Sequence, residues 1–288
     1  MLKRLVVGLD GSPFAETAAE YALHLAKACD GEVEAVFVPD VPLAAPPLPP
    51  ADLLGTPLDL PAVPLAELQA EEQKRGDEVL AAFARRAAAA SVPAAVLRGS
   101  GLPGHALVER ARSADLVCLG KLGRAHEGEA AEGQAVGSTV RLVGAQAVRP
   151  VLVAPRAFRP IKRILVAYDG SNHACRALRA AIELVQARTG PEPPIYSVAS
   201  VVDGDAGAAQ ALAAAAVTYL KAHGVVEPAV LPREGRPAER VILDVAEEIG
   251  ADLIVAGAFG EHRFRELFLG STVLELLRTT RLPVLIHH

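Results

Sequence analysis

The chain has 288 residues, 51% of them hydrophobic, which is the length of two ordinary domains with apolar surface for a core in each, and excludes a mainly disordered protein. Its net charge of −5 argues against nonspecific nucleic-acid binding, which needs a basic surface. Cys29, Cys118 and Cys175 lie far apart and no apolar run reaches the roughly 20 residues of a membrane span, so a disulfide framework, a zinc cluster and a membrane helix are all set aside. The expectation is a soluble cytoplasmic protein with no metal site of its own.

Short β-branched runs alternate with longer Ala-rich periodic stretches. In the first half the runs predict strands at Arg4–Leu9, Glu32–Val38, Ala94–Leu97, Asp115–Leu119 and Val151–Ala154. Between the second and third of these, Pro39 to Pro64 carries nine prolines and can be neither regular helix nor central strand. It reads as a surface insertion, a lid over a pocket, or a strap onto the other half. Arg156 to Pro160 reads as a linker, dividing the chain into domains 1–155 and 161–288. The second half then predicts strands at Arg163–Ala167, Ile195–Val202, Val225–Leu231, Asp252–Ala256 and Pro283–His287. Helices fall between them at Ala174–Thr189, Ala206–His223, Pro237–Glu248 and Thr272–Thr279. Continuous apolar strands separated by helices predict an α/β fold, with a parallel sheet covered on both faces in each half.

The halves repeat one another. Arg4-Leu5-Val6-Val7-Gly8-Leu9-Asp10-Gly11-Ser12 returns as Arg163-Ile164-Leu165-Val166-Ala167-Tyr168-Asp169-Gly170-Ser171. Ala114-Asp115-Leu116-Val117 returns as Ala251-Asp252-Leu253-Ile254, and Gly137-Ser138-Thr139 as Gly270-Ser271-Thr272. Blocks kept in the same order indicate a duplication.

The most specific motif is Gly257-Ala258-Phe259-Gly260, nine residues, then Gly270-Ser271-Thr272. It leaves a strand and enters a helix. Glycines there permit positive φ and close approach of backbone to a ligand. Successive N–H groups and a helix amino-terminus can cradle phosphate, with the Ser271 and Thr272 hydroxyls donating to it or helping to hold magnesium. Asp169 ends strand 1 of its half as Gly257 ends strand 4. If those strands are neighbours, the crevice between them is a switch point where ligands bind, and the aspartate can accept from ribose hydroxyls. A helix cap is the competing role for Asp169, and a plain turn with a cap is the competing role for Gly-Ser-Thr.

These residues resemble the universal stress protein family, twice over and across nearly the whole chain. The resemblance implies five-stranded, Rossmann-like parallel sheets of order 3-2-1-4-5, ATP binding, and pairing of domains through the last strands, Pro150–Ala154 and Pro283–His287, as an intrachain pseudo-dimer. It implies that Asp169 meets ribose, that backbone near Val201 meets adenine, and that Gly257, Gly260, Gly270, Ser271 and Thr272 hold ribose and phosphates. The corresponding first-half residues are Asp10, Val38, Gly120, Gly123, Gly137, Ser138 and Thr139. There the glycine pairs are thirteen residues apart and the intervening segment holds Glu127, Glu129 and Glu132. Acid near a triphosphate repels it unless magnesium intervenes, and Lys121 and Arg124 are placed to offset those charges. His126 and His262 read as exposed loop residues; Arg263 and Arg265 are either phosphate contacts or solvated.

No catalytic set is evident: no general base and nucleophile stand with the phosphate loop. The expected function is an ATP-binding protein of stress response or signalling, with ATP taken up with Mg²⁺. A slow ATPase or phosphotransferase, with Ser271 or Ser138 as acceptor, is one alternative. A protein-interaction module with a vestigial pocket is another. The acidic excess falls entirely in residues 1–155, so any altered pocket is expected there.

Overall fold

The computed structural model describes residues 2–39, 65–124, 135–186, 193–259 and 269–288, without the side chains of 65, 66, 185 and 186. Residues 40–64 of the Pro-rich segment lie outside the described residues, as do Gly260, His126, His262, Arg263, Arg265 and the three loop glutamates.

The first half runs β1 (Arg4–Leu9), α1 (Pro13–Cys29), β2 (Glu32–Phe37), α2 (Leu65–Ala90), β3 (Ala94–Arg98), α3 (Pro103–Ala111), β4 (Leu116–Gly120), α4 (Ser138–Gln146) and β5 (Val151–Ala154). The second runs β6 (Arg163–Ala167), α5 (Asn172–Gln186), β7 (Ile195–Val201), α6 (Ala206–Ala222), β8 (Ala229–Arg233), α7 (Ala238–Glu248), β9 (Leu253–Gly257), α8 (Ser271–Thr279) and β10 (Val284–His287). All ten strands form one sheet, ordered β3-β2-β1-β4-β5-β10-β9-β6-β7-β8. Each half therefore keeps the order 3-2-1-4-5, and the halves join edge to edge. Within each half every pairing is parallel; the seam alone is antiparallel, with Val284 opposite Val153, Leu285 opposite Leu152 and Ile286 opposite Val151. Two edges that would otherwise expose unpaired backbone cover one another.

Alternate strand residues feed opposite faces. Leu5, Val7, Leu152 and Leu285 pack beneath α1, α2, α5 and α6. Val6, Val151, Val284 and Ile286 pack beneath α3, α4, α7 and α8. Both layers run through the seam without a break, so the two halves share their cores. The linker is not loose: Tyr21 on α1 donates its hydroxyl to the Arg159 carbonyl (3.1 Å), accepts from the Arg159 N–H (3.0 Å), and packs its ring at a tilt against Phe158. Burial pushes that hydroxyl up to about 12.

One predicted strand is displaced. Val225–Leu231 was expected, whereas β8 spans Ala229–Arg233. The apolar pair Val225-Val226 belongs to the terminator of α6. Gly224 takes φ +85 and donates its N–H to the Lys221 carbonyl, while Val225 donates to Leu220. That is a Schellman ending with a buried hydrophobic residue after the glycine. β8 includes Pro232, which is tolerated because β8 is an edge strand. No helix among the described residues is long and apolar enough to cross a membrane.

Candidate functional site

Each half has a crevice where the carboxyl ends of its strands 1 and 4 lie side by side. The turn that leaves strand 1 is built identically in both. Gly11 and Gly170 take φ +85 and +82, a conformation that glycine adopts without strain. Ser12 then caps α1, accepting from the Ala15 N–H (3.2 Å), and Ser171 accepts from the Ala174 N–H (3.1 Å). The serine is thus the cap, and the aspartate is not. Asp10 accepts from the Ser12 N–H (2.9 Å) and Asp169 from the Ser171 N–H (3.0 Å), closing Asx turns. The serine hydroxyls also donate to the carbonyls of Leu122 (3.3 Å) and Phe259 (3.4 Å). This bond ties the strand 1 turn to the glycine loop facing it.

The loop glycines do not take the positive φ expected of them. None of Gly120, Gly123, Gly137, Gly257 and Gly270 has a positive φ. A Cβ on Gly120 would sit 2.6 Å from the Phe14 carbonyl carbon, and one on Gly257 would sit 2.6 Å from the Ala174 nitrogen. The strand end and the first turn of the next-door helix touch backbone to backbone, leaving no room for a side chain. A Cβ on Gly123 would lie 2.8 Å from the Asp10 carboxylate. Gly137 and Gly270 are helix caps with φ −57 and ψ 148, each donating its N–H back to its loop, at the carbonyls of Lys121 (3.0 Å) and Ala258 (2.9 Å). A glycine cap has no side chain to accept from the first-turn N–H groups, so those of α4 and α8 are left to face the crevice.

The crevice of the first half holds a cavity of about 590 Å³, lined by every site residue expected there: Asp10, Val38, Gly120, Gly123, Gly137, Ser138 and Thr139. That of the second half holds about 250 Å³, lined by Asp169, Val201, Gly257, Gly270, Ser271 and Thr272; Gly260 lies outside the described residues. Further residues complete the walls, among them Arg124, already noted beside the first glycine loop. Arg75 of α2 and Arg124 line the first cavity. Tyr168 and Phe259 line the second. Tyr168 stands where the first half has Leu9; its hydroxyl contacts Cys175 Sγ (3.3 Å), and burial, seconded by that contact, pushes it up to about 12.

The expectation for one loop cation is corrected. Lys121 does not face the first crevice. It is buried between the halves, its Nζ donating to the carbonyls of Arg278 (2.8 Å) and Thr280 (3.3 Å) at the end of α8. A helix carboxyl end attracts a cation more strongly than a crevice already carrying N–H donors. Arg124 donates its backbone N–H to Asp10 (3.0 Å) and its guanidinium to Glu72 of α2 (3.0 Å). Cys29 and Cys118 are buried and Cys175 is exposed; burial raises the pKa of the first two thiols.

A carboxylate for hydroxyls, opposite a helix amino-terminus for phosphate, suits a phosphorylated ribose. Among the described residues no group of three or more His, Cys, Asp or Glu is placed to hold a metal ion.

The universal stress protein family model matches residues 1–155 and 160–288. A universal stress protein of Synechocystis is 28% identical over 99% of both chains. One of Thermus aquaticus is 35% identical over 43% of this chain and 97% of its own. The crystal structure of a universal stress protein from Archaeoglobus fulgidus shares the fold, with a TM-score of 0.74, 22% identity and coverage of 99% of this chain and 97% of that one.

Proposed function

The chain belongs to the universal stress protein family in both halves, and from that premise we propose that it is a cytoplasmic ATP-binding protein of stress response or signalling, with one nucleotide pocket in each of domains 1–155 and 161–288. The observation that carries this is the repeated pairing of an aspartate at the end of strand 1 with a glycine-capped helix across the crevice. Asp10 and Asp169 accept from ribose hydroxyls. The backbone by Val38 and Val201 takes the adenine edge. Gly120, Gly123, Gly137, Ser138 and Thr139, and likewise Gly257, Gly260, Gly270, Ser271 and Thr272, surround ribose and phosphates. Magnesium enters with the phosphates and neutralises part of their charge. The residues act by binding and orientation.

Thermal unfolding with and without ATP and magnesium tests this. A ligand that binds only the native state at a hundredfold above its Kd adds about 2.7 kcal/mol, a clear rise in Tm. Nucleotide carried through purification and identified by mass spectrometry would be direct support. No shift at millimolar ATP would sink the reading.

A further inference from the structure

Among the described residues the first pocket has a charged cluster that the second lacks, and it stands on the first half's α2. Gly76 of α2 lies so close to Phe37 that a Cβ there would fall 2.8 Å from the ring. This approach brings the preceding turn of α2 over the first crevice. Glu72 on that turn is 9% exposed, and its carboxylate accepts from Arg124 (3.0 Å) and from Arg75. Arg75 lies over the Phe37 ring (5.9 Å), and both arginines line the cavity. Arg124 in turn donates its N–H to Asp10 (3.0 Å). Among the described residues no such charged cluster lines the second cavity, whose wall includes no residue of α6.

A carboxylate paired with two guanidiniums takes up one terminal nitrogen of each, donors that an entering phosphate would use. Guanidinium binds carboxylate and phosphate by the same paired N–H geometry, so the two compete. The buried carboxylate also repels an anion directly. We propose that Glu72 sets the charge selectivity of the first pocket: it is an internal competitor for Arg124 and Arg75, weakening phosphate-bearing ligands there and leaving uncharged nucleosides unaffected. This rests on the nucleotide reading of the pocket.

The test is calorimetric titration of the full chain carrying Gly270→Val, chosen to disable the second pocket by adding a branched side chain to a lining residue where a Cβ already falls 3.1 Å from the Ala258 carbonyl oxygen. Magnesium-ATP and adenosine are titrated with and without Glu72→Gln. ATP should tighten about tenfold in the glutamine variant, a change typical of freeing a charged hydrogen-bond donor. Adenosine should stay within about twofold. Adding Arg124→Ala should abolish the gain. The same comparison in the unblocked chain, where only one of two binding phases should move, covers failure of the blocked form to fold. An unchanged or weakened ATP affinity in Glu72→Gln, with adenosine still binding, overturns the proposal alone. No binding of either ligand to the first pocket in any form overturns the nucleotide reading with it.

Discussion

Lys121, in the glycine loop of the first half, donates its ammonium to the Arg278 carbonyl 2.8 Å away, at the far end of the helix that begins at Gly270 in the second half. A loop of one crevice therefore holds the helix that shapes the other. The ammonium serves as a carboxyl-end cap for α8 and is drawn by the helix dipole. Lys121→Met keeps the apolar stem and removes the charge. It should cost about 1–2 kcal/mol, the range for a partly buried cation at a helix carboxyl end. Urea unfolding followed by far-UV circular dichroism should show a lower midpoint at an unchanged slope. An unmoved midpoint would mean that the contact contributes nothing net.

The glycines of one motif answer to different constraints, and alanine substitution should separate them. Gly120→Ala places a Cβ 2.6 Å from α1 backbone, which cannot swing aside as a side chain can. Overpacking of this kind costs about 1–3 kcal/mol. At Gly137 the nearest atom to a Cβ is 3.4 Å away and φ is −57, so alanine fits there. Gly137→Ala should unfold close to the parent temperature, and Gly120→Ala several degrees below it. Equal losses in the two variants would show that backbone packing does not explain Gly120.

Much of this was legible in the sequence because it depends on local pattern. Strands buried on both faces read as unbroken apolar runs, and the repeat of Asp-Gly-Ser and Gly-Ser-Thr marks both crevices in the sequence itself. What escaped notice depends on partners distant in the chain. Val225-Val226 looks like strand, and only the reverse turn at Gly224 assigns Val225 to a helix ending. Lys121 looks placed to offset the loop acids, and its actual partner is 157 residues away. Glu72 is one of several acids along α2. Its burial depends on how closely Gly76 approaches Phe37, which periodicity does not encode.

The seam carries a prediction about cooperativity. Leu152 and Leu285 face each other across the antiparallel pair and are fully buried. Both core layers run across it. Leu285→Ala should cost about 2–5 kcal/mol through lost burial and the cavity left behind. Calorimetry should still show one transition, moved to lower temperature, because neither half retains a complete sheet edge without the other. Two resolved transitions in the parent protein would mean that the halves fold separately.

His287 ends β10 beside Gly257, at the rim of the second crevice. Burial, the largest influence, lowers its pKa from 6.5 to about 4; the hydrogen bond to the His288 carbonyl works against this, and the charges of Arg176, His288 and Arg149 reinforce it. The native state therefore holds His287 neutral where the unfolded chain would protonate it. Between pH 4 and 6.5 the unfolded state binds the extra proton, so this residue makes stability rise with pH across that window and level off above it. As pH falls through 4 its contribution is lost. His287→Gln keeps a polar group without a titratable one, so the difference in Tm between parent and variant should narrow steadily from pH 7 to pH 4. A difference that stays constant with pH would show that His287 titrates alike in both states.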